Sequence, residues 1–141
     1  MSETAVPPKR RGVVAVVVRD HRLLVVRRSQ QVVAPGTYCF PGGGIEDGES
    51  ETEALIRELR EELGVIVHPI RCLWECTTSW GVWLAWWYSG LAPDQELIPD
   101  LAEVESVAWY TPAEMAALPG LLESNRAFLE AVTAGQIRLE V

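Results

Sequence analysis

Two apolar runs open the chain: GVVAVVV at 12–18 and LLVV at 23–26, both rich in β-branched residues, as expected of strands buried on both faces. Asp20 and His21 between them predict a hairpin. Polar residues with Pro35 and Gly36 predict a loop over 29–37, TYCF a short strand, and PGGG at 41–44 a break. The period then lengthens. Leu55, Ile56, Leu59 and Leu63 recur at helical spacing, Ser50 and Glu53 have the capping-box spacing, and Gly64 supplies a stop, so a helix is predicted over 51–63. Strands follow at 65–78 and 81–90 around a turn at 79–81, and another at 104–110. Thr111 and Pro112 begin a short helix, and SNRAFLEAVTAG forms the last one, closed by Gly135.

This order of elements describes a mixed α/β domain. The length of 141 residues fits one domain, 12–141, behind a mobile tail over 1–11 that carries Pro7, Pro8 and basic residues. A net charge of -8 argues against a broad grip on a nucleic acid polymer, which needs a basic surface. No window approaches the ~20 apolar residues of a membrane helix, and the first residues lack a signal-peptide core, so no membrane partner and a cytoplasmic location are expected. Cys39, Cys72 and Cys76 contain no CxxC pair and are read as buried small hydrophobes rather than a disulfide or zinc set.

Helix 51–63 carries the chemistry. Glu58, Glu61 and Glu62 stand at i, i+3 and i+4 beside its apolar stripe, so their carboxylates converge. Like charges at this spacing repel by about a few tenths of a kcal/mol per pair. A hard divalent cation would relieve that repulsion, since Mg²⁺ takes a few carboxylates and keeps waters and substrate phosphates in its other positions. The preceding glycines let the backbone come close to a ligand. Spacing alone leaves a solvated acidic helix face as the alternative.

The segment GGIEDGESETEALIRELREELGV resembles the Nudix box, G-x5-E-x7-R-E-U-x-E-E-x-G-U with U aliphatic: Gly43, Glu49, Arg57, Glu58, Leu59, Glu61, Glu62, Gly64 and Val65 fill every specified position. The resemblance extends to the two strands before it, the FPGG entry and the WYTPAEM segment, and so covers residues 12–134. It implies an α/β/α sandwich around a mixed β-sheet, and hydrolysis of a nucleoside diphosphate linked to another group, with Mg²⁺ or Mn²⁺ and water. It also implies Glu58, Glu61, Glu62 and the Gly42 carbonyl as metal ligands, with Arg57 holding the glutamates in place through Glu49. Two groups are candidates for taking the proton of the attacking water. One is Glu58; the other is Glu103, six residues before Trp109, where some members carry a loop glutamate.

Subfamily patterns narrow the substrate. Gly81 stands where ADP-ribose pyrophosphatases carry a proline, and Trp83 where diadenosine polyphosphate hydrolases carry a tyrosine. Leu23, Leu24, Arg27, Gly36 and FPGG fit the upstream pattern of coenzyme A hydrolases, but Arg28 and Val32 depart from it. The C-terminal segment is more similar to bacterial MutT-like enzymes that remove nucleoside triphosphates, with Asn125 at the position that pairs with a purine edge; a helix cap is its other reading. Trp83 and Trp87 share one strand face, opposite Trp86, and could stack a base or fill the core. The expected substrate is therefore a small nucleotide, a (d)NTP or an oxidised purine nucleotide cut to monophosphate and pyrophosphate, with Arg27, Asn125, Trp83 and Trp87 as candidate contacts. Dinucleoside polyphosphates, nucleotide sugars, coenzyme A and a non-catalytic nucleotide-binding role stay as alternatives, and a homodimer stays open.

Overall fold

The computed structural model describes residues 10–139. Of the expected tail, residues 1–9 lie outside the described residues. Arg10 and Arg11 are part of β1 (Arg10–Arg19), where they pair with Val82 and Trp83. β1 and β2 (Arg22–Arg28) form the predicted hairpin, and both loop residues, Asp20 and His21, take positive φ (51° and 64°). A two-residue loop with two positive φ values matches the right-handed twist of the flanking strands.

β3 (Tyr38–Cys39) adds to β2. The glycines expected to interrupt the chain instead form β4 (Gly42–Gly44), antiparallel to β1 with Gly42, Gly43 and Gly44 opposite Val14, Val13 and Gly12. A Cβ on Gly42 would overlap the Val13 carbonyl, so this strand can approach β1 only as glycine. After α1 (Glu51–Leu63) come β5 (Val67–Thr77), β6 (Val82–Leu91) and β7 (Val104–Tyr110), then α2 (Pro112–Ala116) and α3 (Glu123–Thr133). β6 runs parallel to β1, with β5 antiparallel beside it, while β7 pairs with β2. The mixed sheet is thus two groups, β4-β1-β6-β5 and β3-β2-β7, joined through the far end of β1.

Strand alternation sorts the core into two layers. Val13, Ala15 and Val17 face α1 with Leu55, Leu59 and Leu63. Val14 and Val16 face the other way, with Trp86, Met115 of α2 and Phe128 of α3. The result is the expected α/β/α sandwich. Cys39 is buried, but Cys76 is only half-buried and Cys72 is exposed, against expectation, both lying on β5 at the edge of the sheet. No helix among the described residues is long and apolar enough to cross a membrane.

Candidate active site

Local signals place α1 as predicted. The Ser50 side chain accepts from the Glu53 amide at 3.1 Å, Glu53 accepts from the Ser50 amide at 2.8 Å, and Gly64 ends the helix in the left-handed region at φ 68°. With Leu55, Leu59 and Leu63 committed to the sheet, Glu58 and Glu62 come down over β4. A Cβ on Gly43 would overlap the Glu58 carboxyl group. The glycine at the head of the box is therefore a steric condition for the position of Glu58.

Arg57 ties the loop to the helix. Its Nε and Nη2 donate to the two oxygens of Glu49 (2.6 and 2.9 Å), a bidentate pair of the strong, orienting kind. Nη2 also donates to the Gly44 carbonyl at 2.8 Å, and Nη1 to Glu58 at 3.0 Å and Glu61 at 3.2 Å. Glu49 accepts a further bond from the Glu46 amide at 2.8 Å. The Arg57 hydrogen bonds, reinforced by that amide, lower the Glu49 pKa to about 2, and Glu49 in turn raises the proton affinity of Arg57.

Beside this clamp lies a cavity of about 220 Å³ lined by Glu58, Glu62, Glu103, Arg28 and Gly42–Gly44. Burial pushes the Glu62 pKa up to about 9, with further contributions from the charge of Glu58, a hydrogen bond shared with it, and the charge of Glu103. Burial also raises Glu58, partly offset by Arg57. The backbone of Gly42 hydrogen-bonds Glu62. Thus Glu58, Glu62, Glu103 and Gly42 meet at one cavity. Glu61 does not line it; its carboxylate lies out toward Arg57, half exposed. Among the described residues no three acidic, thiol or imidazole side chains already stand together in a ligand cage. The donor set nevertheless suits a hard divalent cation: buried Glu62 and half-buried Glu58 are both pushed toward the protonated form, which such an ion would offset, and their oxygens are the ligand type it takes.

A second, larger cleft of about 790 Å³ opens on the other side of β4. Phe40, Leu84, Val82 and Trp80 give it apolar walls, and Ser124 and Asn125 of α3 reach it. Asn125 is not a helix cap. Leu122 occupies the cap position, and Asn125 sits in the first turn, 3% exposed, accepting from the Phe40 amide through Oδ1 at 2.8 Å.

Three expected substrate contacts lie elsewhere. Arg27 turns away from both cavities, donates to the Gly36 carbonyl and pairs with Glu105 at 3.1 Å. Arg28 lines both cavities instead, because strand alternation puts it on the face of Leu24 and Val26, opposite Arg27. Trp83 and Trp87 share a face as expected, but it is the α1 face. Trp87 donates to Glu51 at 2.9 Å and Trp83 packs under the Arg11 guanidinium, so neither lines the cleft. Trp80, 47% exposed at the β5–β6 turn, is the tryptophan that does. Its signal in the sequence was an aromatic next to a turn glycine.

The NUDIX domain family model matches residues 8–132. Over 130 residues the chain is 30% identical to the NAD-capped RNA hydrolase NudC of Stutzerimonas stutzeri (strain A1501), covering 89% of this chain and 45% of that protein. Over 53 residues it is 45% identical to the CTP pyrophosphohydrolase of Escherichia coli (strain K12), covering 38% of this chain and 39% of that one. The chain thus spans less than half the length of these curated relatives. In fold it is similar to the MutT NUDIX hydrolase from Burkholderia pseudomallei, with a TM-score of 0.73 at 24% identity over 87% of this chain and 97% of that one. With the box complete around Glu58 and Glu62, and the family model spanning nearly the whole chain, this protein belongs to the Nudix family.

Proposed function

We propose that this protein is a divalent-metal-dependent pyrophosphohydrolase that cuts a nucleoside triphosphate to monophosphate and pyrophosphate. The observation that carries this reading is the junction of two unlike cavities across Gly42–Gly44, one holding Glu58, Glu62 and Glu103, the other apolar and of nucleoside size. Glu58 and Glu62, with Glu61 beside them and the Gly42 carbonyl, would hold Mg²⁺ or Mn²⁺. The cation would neutralise phosphate charge and acidify a bound water.

The chain's own residues supply orientation and proton transfer. Arg57 fixes Glu58 relative to Glu49 and Gly44, which keeps the helix and loop in register. Arg28 stands where the cavities meet, its Nε held by the Val33 carbonyl at 2.7 Å, and presents its remaining N–H groups to a phosphate. Glu58 is committed to Arg57, whereas Glu103 has no ion-pair partner among the described residues, so Glu103 is the better proton acceptor. In the cleft, the Phe40 amide can only donate and therefore claims Oδ1 of Asn125. The Asn125 Nδ2 donates to Ser124 Oγ at 3.3 Å and keeps a second N–H as the reading group, which favours a base presenting a carbonyl oxygen, such as the O6 edge of guanine.

A second reading, hydrolysis of a dinucleotide pyrophosphate, draws support from the match to the NAD-capped RNA hydrolase over 89% of this chain. A panel of nucleoside triphosphates, dinucleotides, nucleotide sugars and coenzyme A, incubated with Mg²⁺ or Mn²⁺ and followed by mass, decides between them. Pyrophosphate release from a triphosphate is the expected result. Products only from dinucleotides favour the second reading, and no product from any member overturns both.

A further inference from the structure

Of the three glutamates at the carboxylate cavity, Glu103 is held in the least direct way. Glu58 and Glu62 stand on α1, and Arg57 bonds Glu58. The Glu103 side chain has no ion-pair partner among the described residues, so its place at the cavity is set by the backbone that carries it into β7. That backbone is tied to the catalytic helix on one side. The amides of Ile98 and Asp100 donate to the Leu63 and Glu62 carbonyls at the end of α1, each at 2.8 Å. Within the segment, the Asp100 carbonyl accepts from the Glu103 and Val104 amides (2.9 and 2.8 Å), and Asp100 Oδ1 accepts from the Ala102 amide at 3.1 Å.

On the other side stands Ser29, the residue after β2. Its amide donates to the Glu103 carbonyl at 3.0 Å and its hydroxyl to the Ala102 carbonyl at 2.8 Å, so it grips the peptide groups on both sides of the Glu103 Cα. The hydroxyl oxygen also accepts from the Gln31 amide at 3.2 Å, and the residue is 5% exposed. A bulge brings the two segments level. Arg27 pairs with Ser106 but Arg28 with Val104, which leaves Glu105 as the extra residue of β7. Regular alternation from Trp109 and Val107 would turn Glu105 into the core beneath α1. The bulge gives that place to Val104, 2% exposed, and Glu105 pairs with Arg27 at 3.1 Å instead. Glu103 then comes opposite Ser29, at the edge of the cavity.

We propose that Ser29 is a positioning residue: by bonding the carbonyl groups on both sides of Glu103, it holds the Glu103 carboxylate at the cavity for proton transfer. Ser29 lines neither cavity, so it acts through Glu103. A hydroxyl that only satisfied buried backbone groups would change stability alone, whereas one that places a proton acceptor changes the step that acceptor performs. Ser29 also follows Arg28 directly, which puts the hold on the proton acceptor and the candidate phosphate contact on one short piece of chain. The catalytic consequence rests on the pyrophosphohydrolase reading; the hold on residues 102–104 does not.

Steady-state kinetics on guanosine 5′-triphosphate with Mg²⁺, and amide hydrogen exchange without nucleotide, test it in Ser29→Ala, Ser29→Cys, Glu103→Gln and the Ser29→Ala/Glu103→Gln double variant. Glu103→Gln is expected to lower kcat by ~100-fold. Ser29→Ala is expected to lower kcat by ~10-fold or more with KM within about twofold, and to add less than about twofold to the loss in the Glu103→Gln background. Ser29→Cys keeps the volume but is a weak donor, so it follows Ser29→Ala and takes its place if the alanine variant does not fold. In either variant the amides of 102–104 exchange ~10-fold faster or more, while those of 107–109 keep their rates. Full activity of Glu103→Gln, a loss from Ser29→Ala that is undiminished in the Glu103→Gln background, a raised KM with kcat kept, or unchanged exchange at 102–104 overturns the assignment. If the wild type does not cleave the triphosphate, the triphosphate reading fails, and the exchange rates alone decide whether Ser29 holds the segment.

Discussion

The carboxylate cavity and the apolar cleft share the wall of Gly42–Gly44 but solve opposite electrostatic problems. In the first, Glu58, Glu62 and Glu103 crowd together, and burial with these neighbouring charges pushes the Glu62 pKa up to about 9. In the second, the walls are apolar, and no acid lines them among the described residues. The proposed substrate, a pyrophosphate ester of a nucleoside, would satisfy both at once. Among the described residues, Arg28 is the cation that lines both.

Removing charge from the acidic side has the largest expected effect. Glu62→Gln lowers turnover by at least ~100-fold at saturating Mg²⁺, since it takes away an oxygen charge the metal needs, and leaves the helix intact. Steady-state kinetics and a melting curve check both halves; full activity in this variant removes the cavity from the mechanism. Next comes the junction. Arg28→Ala raises KM or lowers kcat/KM by ~10-fold or more, while Arg27→Ala, whose partners are Glu105 and Gly36, stays within about twofold. Equal effects of the two arginines on kcat/KM erase the distinction drawn from the two faces of β2.

Asn125→Ala acts on the cleft side. It leaves the buried Phe40 amide without its acceptor, which costs about 1–3 kcal/mol and lowers the melting temperature. It also reduces kcat/KM for a guanine triphosphate more than for an adenine one; an unchanged ratio assigns Asn125 to structure alone. The smallest effect is on pH dependence. The folded protein keeps a proton on Glu62 up to about pH 9, whereas an unfolded glutamate releases it near its ordinary value of 4.5. Its stabilising contribution is therefore complete below that ordinary value and is lost as pH rises through about 9. Metal-free wild type should melt at progressively lower temperature across this window, Glu62→Gln should flatten the slope, and Mg²⁺ or Mn²⁺ should raise the wild-type melting temperature by binding the folded state. A flat profile in EDTA contradicts the buried carboxyl pair.

How far each region could be read in advance differs for a physical reason. The acidic side is written on one helix and the loop before it, so local rules suffice: capping by Ser50 and Glu53, the stripe of Leu55, Leu59 and Leu63, and the spacing of Glu58, Glu61 and Glu62. The clamp of Arg57 on Glu49 was likewise legible, both residues lying within the box, although its further bond to the Gly44 carbonyl was not. Alternation correctly separated Trp83 and Trp87 from Trp86, but which face would meet α1 depends on how β6 docks beside β1, a non-local choice.

By itself, then, the sequence determined the α/β order of elements, the helix that carries the carboxylates, and the glycine-rich loop before it, because each depends on residues within a few turns of one another. Tertiary structure alone decided that the glycines form a strand, since only pairing with β1 creates it. It alone decided that Arg28 rather than Arg27 faces the site, since which face of β2 turns toward α1 depends on how the sheet docks. And it alone built the cleft, whose walls come from β1, β4, the β5–β6 turn and α3, segments up to more than a hundred residues apart that share no local signal and meet only when both faces of the sheet are covered.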